Sequence, residues 1–223
     1  MSRFLAAVQL LTVVPVRGAT APPGAAAAWF PVVGGLVGLA AIPFFYLHPL
    51  LAVLFWIVIT GGLHEDGLAD CADAFWSGRS IERTLAILKD SRIGAFGAMA
   101  LIFSITLRWQ ALEHLAVEPW RAFVASHAVS RGSMVWLAFV TPPQGSGLGR
   151  EFARHLTAAG ALAALLASLA AGLLLHPATI AVAILTVLLA RRYFLSRLAG
   201  VTGDGLGAAG QMVETAILWI ATR

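Results

Sequence analysis

Apolar stretches of about 20 residues recur along this sequence, and they restrict its fold more than any other feature, since a helix needs roughly that length to cross a membrane. Hydrophobic residues make up 59% of the 223 residues, charged residues make up 12%, and the mean hydropathy is +0.85. A soluble domain carries about twice that charged fraction. The sequence therefore predicts an all-α, polytopic membrane protein with about seven transmembrane segments. We place these segments at Ala25–Leu47, Pro49–Leu63, Ile93–Leu112, Trp120–Val140, Leu156–Leu175, Ala178–Leu198 and Leu206–Thr222. The second is short, which leaves open its continuation into the acidic segment that follows.

Basic residues are distributed unevenly between the two ends of these segments. If the N-terminus is cytoplasmic, eleven lysines and arginines lie at the cytoplasmic ends, and three, Arg108, Arg121 and Arg223, lie at the other ends. Because cytoplasmic loops carry an excess of these residues, the sequence predicts a cytoplasmic N-terminus and an external C-terminus. The net charge of +4 is scattered over segment ends, which indicates membrane topology rather than nucleic-acid binding. Residues 1–223 are expected to form one integral membrane domain. The eleven are Arg3, Arg17, Arg79, Arg83, Lys89, Arg92, Arg150, Arg154, Arg191, Arg192 and Arg197.

An acidic segment follows the second apolar stretch, at Gly61–Phe75, with the sequence G-G-L-H-E-D-G-L-A-D-C-A-D-A-F. Asp66, Asp70 and Asp73 are spaced by four and three residues, which places them on one face of a helix. Mg²⁺ prefers oxygen ligands and usually takes one or two carboxylates together with substrate phosphates. The alternative is a helix cap with solvated surface charges, but capping accounts for only one aspartate. The sequence therefore predicts a site for Mg²⁺, or Mn²⁺, formed by Asp66, Asp70 and Asp73 with the neighbouring Glu65.

Cations and one further acid follow directly, so that residues 61–94 form a single motif region. Arginine and lysine pair with phosphate oxygens. The alternative is a solvated, positively charged cytoplasmic loop. We predict that Arg79, Lys89, Asp90 and Arg92 bind substrate.

Polar residues within the later apolar segments form a second group. Arg131 lies inside the fourth segment, where an arginine either faces a wet cavity and binds substrate or pairs with a buried acid. Glu214 in the last segment is the acid that would pair with it, and both interpretations stay open. Asp204 and Gln211 share a face of the last helix and are predicted to bind substrate. The tripeptide D-G-L occurs at both Asp66 and Asp204, which hints that two helix starts face each other.

Four segments resemble the cobalamin synthases, which are adenosylcobinamide-GDP ribazoletransferases. They are F-L-A-A-V-Q-L-L-T-V-V-P-V near the N-terminus, G-G-L-H-E-D-G-L-A-D-C-A-D from Gly61, K-D-S-R-I-G-A-F-G from Lys89, and G-V-T-G-D-G-L-G-A from Gly200. The family often has arginine where Val13 stands here and two glycines where Ala199-Gly200 stands.

The resemblance implies a multi-pass enzyme of the bacterial inner membrane whose active site faces the cytoplasm. Its substrates would be adenosylcobinamide-GDP and α-ribazole or α-ribazole 5′-phosphate, and its product besides the corrinoid would be GMP. Mg²⁺ on the aspartates would neutralise the diphosphate. Asp73, or else His64, would take the proton of the attacking ribose hydroxyl. Membrane lipid surrounds such a protein, and a homo-oligomer is compatible with the sequence.

Two other classes are weighed against this one. A CDP-alcohol phosphotransferase-like lipid synthase should show an arginine soon after D-G-x-x-A and a further G-x-x-x-D-x-x-x-D, which this sequence lacks. A cation or proton transporter should carry carboxylates near the middle of the bilayer and a clear inverted repeat. Here the acids gather at one end of the segments and the repeat is weak.

Overall fold

The computed structural model of the protein describes residues 2–77 and 80–223, so Arg79, predicted to bind substrate, lies outside the described residues. Within these ranges the elements are helices, accompanied by one isolated parallel bridge between Pro143 and Val201. The all-α class is therefore confirmed. The helices are α1 (Ser2–Leu11), a 3₁₀ helix (Pro23–Trp29), α2 (Phe30–Ala40), α3 (Ile42–Leu47), α4 (Pro49–Ile59), α5 (Leu63–Ser77), α6 (Ile81–Ile87), α7 (Ala95–Glu113), α8 (Pro119–Val140), α9 (Leu148–His155), α10 (Ala158–Leu175), α11 (Ala178–Leu198) and α12 (Gly203–Ile220).

Five helical stretches in the described part of the chain are long and apolar enough to cross a membrane: Pro23–Leu47, α7, α8, α10 and α11. A sixth is added if α4 and α5 count as one broken span. The multi-pass character is confirmed, whereas the expected count of seven is not. Helix α4 has only 11 residues, about half of a spanning length. Helix α12 is not among the five, because Asp204, Gln211 and Glu214 lower its hydropathy.

A sharp turn separates α4 from α5, and the two helices are bent by 87° with respect to each other. Gly61 and Gly62 form this turn with φ angles of +63° and +67°, which L-residues with side chains rarely adopt. A Cβ atom on Gly61 would also lie 2.9 Å from Cγ1 of Val13. The acidic helix is therefore not a straight continuation of the apolar segment before it.

Helix α8 is the most buried of the candidate spans, and 78% of its most apolar stretch lies inside the protein. It packs against α2, α10, α11 and α12. Gly34 and Gly38 of α2 allow this close approach, since a Cβ atom on Gly34 would lie 2.6 Å from the carbonyl oxygen of His127. Small residues here bring two helix backbones together, as is common within membranes.

Contacts between loops define the two ends of the helix bundle. At one end the N–H of Val13 donates to the carbonyl of Ile59 (2.8 Å). At the other end the N–H of Ala116 donates to Ala221 (2.9 Å), and Nε of Arg121 donates to Leu174 (2.8 Å). The N-terminal segment and the acidic helix thus share one end, and the C-terminus lies at the other.

One basic residue lies elsewhere than expected. Arg108, counted above among the residues at the external end, is fully buried among the helices.

Candidate active site

The segments that resemble the cobalamin synthases converge around α5. Gly67 of α5 packs against the first turn of α12, where a Cβ atom would lie 2.7 Å from the carbonyl oxygen of Asp204. Val13 lies against the turn that precedes α5. Asp73 near the other end of α5 accepts hydrogen bonds from the segment that begins α7. Residues that are up to about 190 positions apart in sequence therefore form one surface.

Three aspartates at this surface, Asp66, Asp70 and Asp204, form a group that we call the unpaired carboxylates. Asp70 lies close enough to both others for electrostatic repulsion, and Asp66 also repels Asp204. In the described residues none of the three has a hydrogen-bond or ion-pair partner for its side chain. Asp66 is exposed, while Asp70 and Asp204 are partly buried. Like charges held together in this way are stabilised by a bound cation.

These three aspartates offer carboxylate oxygens, the type of ligand that Mg²⁺ prefers. Among the described residues no group of three His, Cys, Asp or Glu side chains is arranged to hold a metal ion. Mg²⁺, however, is seldom held in a cage made of protein alone, because it keeps waters and takes substrate phosphates as ligands. Carboxylate oxygens that lack other partners fit such a partial site.

Asp73 has a different environment, although it shares a helix face with Asp66 and Asp70. Its two carboxylate oxygens accept hydrogen bonds from the N–H groups of Gly94 (2.7 Å) and Gly97 (2.9 Å). Asp73 thereby caps the N-terminus of α7 from another helix. A Cβ atom at either glycine would collide with this carboxylate, which explains the glycines in K-D-S-R-I-G-A-F-G.

Glu65, expected to be a metal ligand, points into the protein. Its Oε1 accepts a hydrogen bond of 3.0 Å from Nε2 of Gln211. Nη2 of Arg108 lies 3.0 Å from the same oxygen, but is not oriented to donate a hydrogen bond to it. Gln211, predicted to bind substrate, therefore contacts Glu65.

Glu214 connects these residues to Arg131. Nη1 of Arg108 lies 3.2 Å from Oε1 of Glu214, and Nη1 of Arg131 donates to the other oxygen of the same carboxylate. Nε2 of His127 lies 3.7 Å from that oxygen. Of the two alternatives left open for Arg131, the structure shows the pair with Glu214, and Arg131 is 3% exposed.

These contacts join α5, α7, α8 and α12, and we call the residues that make them the buried ionic network. Two arginines and two glutamates balance in charge, as expected for ionised groups held away from water. The sequence analysis assigns Arg108 to no site, although an arginine within an apolar segment is a signal that could have identified it. The network consists of Glu65, Arg108, Arg131, Gln211 and Glu214.

A cavity of about 280 Å³ lies beside the unpaired carboxylates. His64, Lys89 and Asp204, three residues singled out in the sequence, line it together. His64 is fully buried, and neither of its ring nitrogens has a hydrogen-bond partner in the described structure. An unpartnered buried polar group is costly, so His64 is placed to contact a ligand.

Lys89 and Arg92, two cations predicted to bind substrate, lie in the segment before α7 and differ in whether their charge is already paired. Arg92 donates from its backbone N–H and from Nε and Nη2 to Asp90, with the shortest contact 2.6 Å. These hydrogen bonds lower the pKa of Asp90 to about 2. Lys89 is exposed, and among the described residues its ammonium group has neither a hydrogen-bond nor an ion-pair partner. Of Lys89 and Arg92, Lys89 is therefore the one whose charge is available to an anionic ligand.

Comparisons with known proteins show the family of this chain. The family model described as cobalamin-5-phosphate synthase matches residues 3–222. An adenosylcobinamide-GDP ribazoletransferase of Ralstonia nicotianae is 40% identical over 222 residues, covering 87% of this chain and 83% of the relative. Proteins of the same name from Bradyrhizobium diazoefficiens and Pseudomonas fluorescens are 37% and 36% identical, covering 96% and 98% of this chain and 91% and 98% of the relatives. No solved structure matches.

Proposed function

Because the chain belongs to the cobalamin-5-phosphate synthase family, we propose that it transfers the adenosylcobinamide phosphate group of adenosylcobinamide-GDP to α-ribazole or α-ribazole 5′-phosphate. Family membership makes the chain an enzyme of the step that attaches the lower ligand of cobalamin. The observation that carries the proposed chemistry is the group of unpaired carboxylates beside a cavity that also contains a histidine and a lysine.

In the proposed reaction a ribose hydroxyl attacks the phosphorus atom on the corrinoid side of the diphosphate. A new O–P bond forms, the bond to the GMP oxygen breaks, and the hydroxyl loses its proton. His64 is our choice of proton acceptor, because it lines the cavity and both ring nitrogens lack partners in the described structure. Asp73, the other candidate, has both oxygens engaged by backbone amides.

Asp66, Asp70 and Asp204 would hold Mg²⁺ or Mn²⁺. Such an ion supplies positive charge that neutralises the diphosphate and the departing GMP. Glu65 and Asp73 do not belong to this proposed set, since Glu65 is buried with its Oε1 bound by Gln211 and close to Arg108, and both oxygens of Asp73 accept hydrogen bonds from backbone N–H groups. Asp66, Asp70 and Asp204 otherwise repel one another, so a bound cation would also relieve that repulsion.

Lys89 is proposed to bind phosphate oxygens. Its ammonium group has no partner among the described residues, and it lines the same cavity as Asp204. Arg92 contributes less directly in this proposal, since Asp90 already occupies its guanidinium group. The interaction of Asp90 with Arg92 instead shapes the loop on which Lys89 lies.

We place this end of the bundle in the cytoplasm, in a bacterial inner membrane. The support is the excess of basic residues at that end. A cysteine at Ser80, which caps α6, is expected to resist an impermeant thiol reagent in intact cells and to react after the membrane is opened. Labelling of Ser80→Cys from outside intact cells would contradict this orientation.

The reaction itself is tested with purified protein in detergent, adenosylcobinamide-GDP, α-ribazole and Mg²⁺. We expect release of GMP together with the joined corrinoid, loss of turnover in excess EDTA, and recovery when Mg²⁺ or Mn²⁺ is added back. Full turnover in EDTA would exclude the metal. Failure to release GMP both with α-ribazole and with α-ribazole 5′-phosphate as acceptor would exclude the proposed transfer.

A further inference from the structure

The cavity beside the unpaired carboxylates has one polar region, and most of its wall is apolar. His64, Lys89 and Asp204 provide polar groups. Much of the remaining surface comes from aliphatic and aromatic side chains of α1, α2, α6 with the residue that follows it, and α9, including Leu11, Phe30, Leu85, Leu88, Leu148 and Phe152. The hydroxyl group of Thr202, which also lies in the lining, is engaged with the N–H of Gly205 at the start of α12.

Size restricts what this cavity can hold. At about 280 Å³ it lies just below the range for small-molecule pockets, which is roughly 300–1,000 Å³. A nucleoside fits such a volume, whereas a corrin macrocycle with its side chains is far larger. A second, open groove of about 1160 Å³ runs along the later turns of α5, past Phe75 and Trp76, and reaches α11 at Tyr193. Of these two spaces, this groove is the one with room for the corrinoid part of the donor.

Polarity restricts the occupant further. Guanine carries several hydrogen-bond donors and acceptors, and an apolar wall would leave many of them unpaired at considerable cost. The base of α-ribazole is a benzimidazole with two methyl groups, which is flat, aromatic and mostly apolar. Burial of its rings and methyl groups against leucine and phenylalanine is favourable.

We infer that this cavity is the binding site for the acceptor, with the aromatic base against the apolar wall and the ribose at His64 and Asp204. The inference rests on the proposed function, because it takes α-ribazole from there. His64 supports it further, since a fully buried imidazole without a partner in the described residues leaves both ring nitrogens available to a polar group of a ligand. The ribose hydroxyl supplies that group.

Acceptor binding measured without the donor tests this inference. Isothermal titration calorimetry of the protein in detergent would compare α-ribazole with the riboside of unsubstituted benzimidazole. Burial of a methyl group is worth about fourfold in affinity, so loss of both should weaken binding about 15-fold. Equal affinities for the two ribosides, or no binding of either, would overturn the inference.

A variant at the edge of the cavity provides the second measurement. Leu148 lines the cavity and is 60% exposed, so Leu148→Trp should fold while reducing the space for the base. We expect the KM for α-ribazole to rise at least about tenfold and the KM for adenosylcobinamide-GDP to stay unchanged. Leu162→Trp is the matched control, since Leu162 is 54% exposed on α10 and is absent from the lining of this cavity.

The two proposals fail in different ways. If the protein binds α-ribazole with the expected dependence on the methyl groups but releases no GMP, the acceptor site stands and the proposed reaction is wrong. If GMP is released while Leu148→Trp leaves the KM for α-ribazole unchanged, the reaction stands and the assignment of the cavity is wrong.

Discussion

Glu65 and Asp66 are neighbours on α5, yet they belong to two regions with opposite electrostatics. Glu65 is buried and lies against Arg108 and Gln211 in the buried ionic network. Asp66 is exposed and belongs to the unpaired carboxylates with Asp70 and Asp204. Consecutive residues on a helix point about 100° apart, so the two acids face different surroundings. The position of an acid around the helix, and not its chemical type, therefore decides whether it joins the buried ionic network or the unpaired carboxylates.

The two regions should also differ in what they contribute to stability. In the buried ionic network each charge is balanced, and removal of one member leaves an uncompensated charge away from water. The unpaired carboxylates repel one another and so oppose folding when no cation is bound. Local conflicts of this kind are typical of functional sites.

The largest expected effect is on stability, for Glu214→Gln. Glu214 contacts both Arg108 and Arg131, and loss of its charge leaves two arginines to share the single charge of Glu65. Breaking a buried ion pair on one side costs about 3–5 kcal/mol. We expect a much lower midpoint of thermal unfolding in detergent and poor recovery of folded protein.

The exposed Glu113→Gln at the end of α7 is the control for this measurement. It should leave the unfolding midpoint at the wild-type value. An unchanged midpoint for Glu214→Gln would show that the buried ionic network does not stabilise the fold. The expected difference in stability between the network and the unpaired carboxylates would then be contradicted.

Asp70→Asn should lower turnover while leaving stability intact, in contrast to the loss of stability expected for Glu214→Gln. Asp70 is repelled by Asp66 and Asp204, so neutralising it should leave the unfolding midpoint unchanged or raise it slightly. Loss of a group that stabilises charge in the transition state typically lowers the rate by about 10²-fold or more. Turnover per folded molecule measures this effect, and Asp204→Asn should behave in the same way. Retention of more than about half of the wild-type turnover by Asp204→Asn would place that residue outside the site, since loss of a helix cap alone is mild.

The sequence predicts a helix well where the apolar character and length of a single segment determine it. Helix α11 has the expected bounds, Ala178–Leu198, and helices α7, α8 and α10 begin and end within two residues of theirs. The break at Gly61 was not foreseen, because hydropathy reports the apolar character of a stretch and not the direction of its backbone.

The candidate site is only partly readable from the sequence, because spacing along a helix gives a face but not the neighbours of that face. Asp66, Asp70 and Asp73 do share a face, yet Asp73 has Gly94 and Gly97 as partners, more than 20 residues away. Likewise, the hydrogen bond that holds Glu65 comes from Gln211, 146 residues further on. Such contacts depend on how helices pack, which local periodicity does not encode.

Asp73 belongs neither to the buried ionic network nor to the unpaired carboxylates, since its partners are backbone N–H groups. The variant Asp73→Asn tests the role of this acid. An asparagine offers one carbonyl oxygen and turns an NH₂ group towards the other N–H, so one hydrogen bond to α7 is lost. A helix cap is worth about 1 kcal/mol, and we expect a loss of stability of that order. Turnover per folded molecule should stay within about twofold of the wild type, in line with the small scale of cap loss.

Gly97→Ala offers a second way to disturb the same cap, since its Cβ atom would collide with the carboxylate of Asp73. It should lower stability as well and leave turnover per folded molecule similar. A loss of about 10²-fold in turnover for Asp73→Asn, on the scale of a lost catalytic group, would move Asp73 back among the catalytic or metal-binding residues.

The smallest expected effect comes from Ala199→Gly, which lies outside both regions and sets the scale for a pure change in stability. Ala199 ends α11 with φ = 55°, and it is the one residue other than glycine with positive φ in the described chain. The left-handed conformation costs an L-residue about 1–2 kcal/mol, and glycine avoids that cost while losing more entropy on folding. The net gain should be below about 1 kcal/mol, seen as a small rise in the unfolding midpoint with unchanged turnover per folded molecule. If turnover per folded molecule rose with this small gain in stability, activity would depend on stability. The losses expected for Asp70→Asn and Asp204→Asn could then no longer be assigned to the unpaired carboxylates.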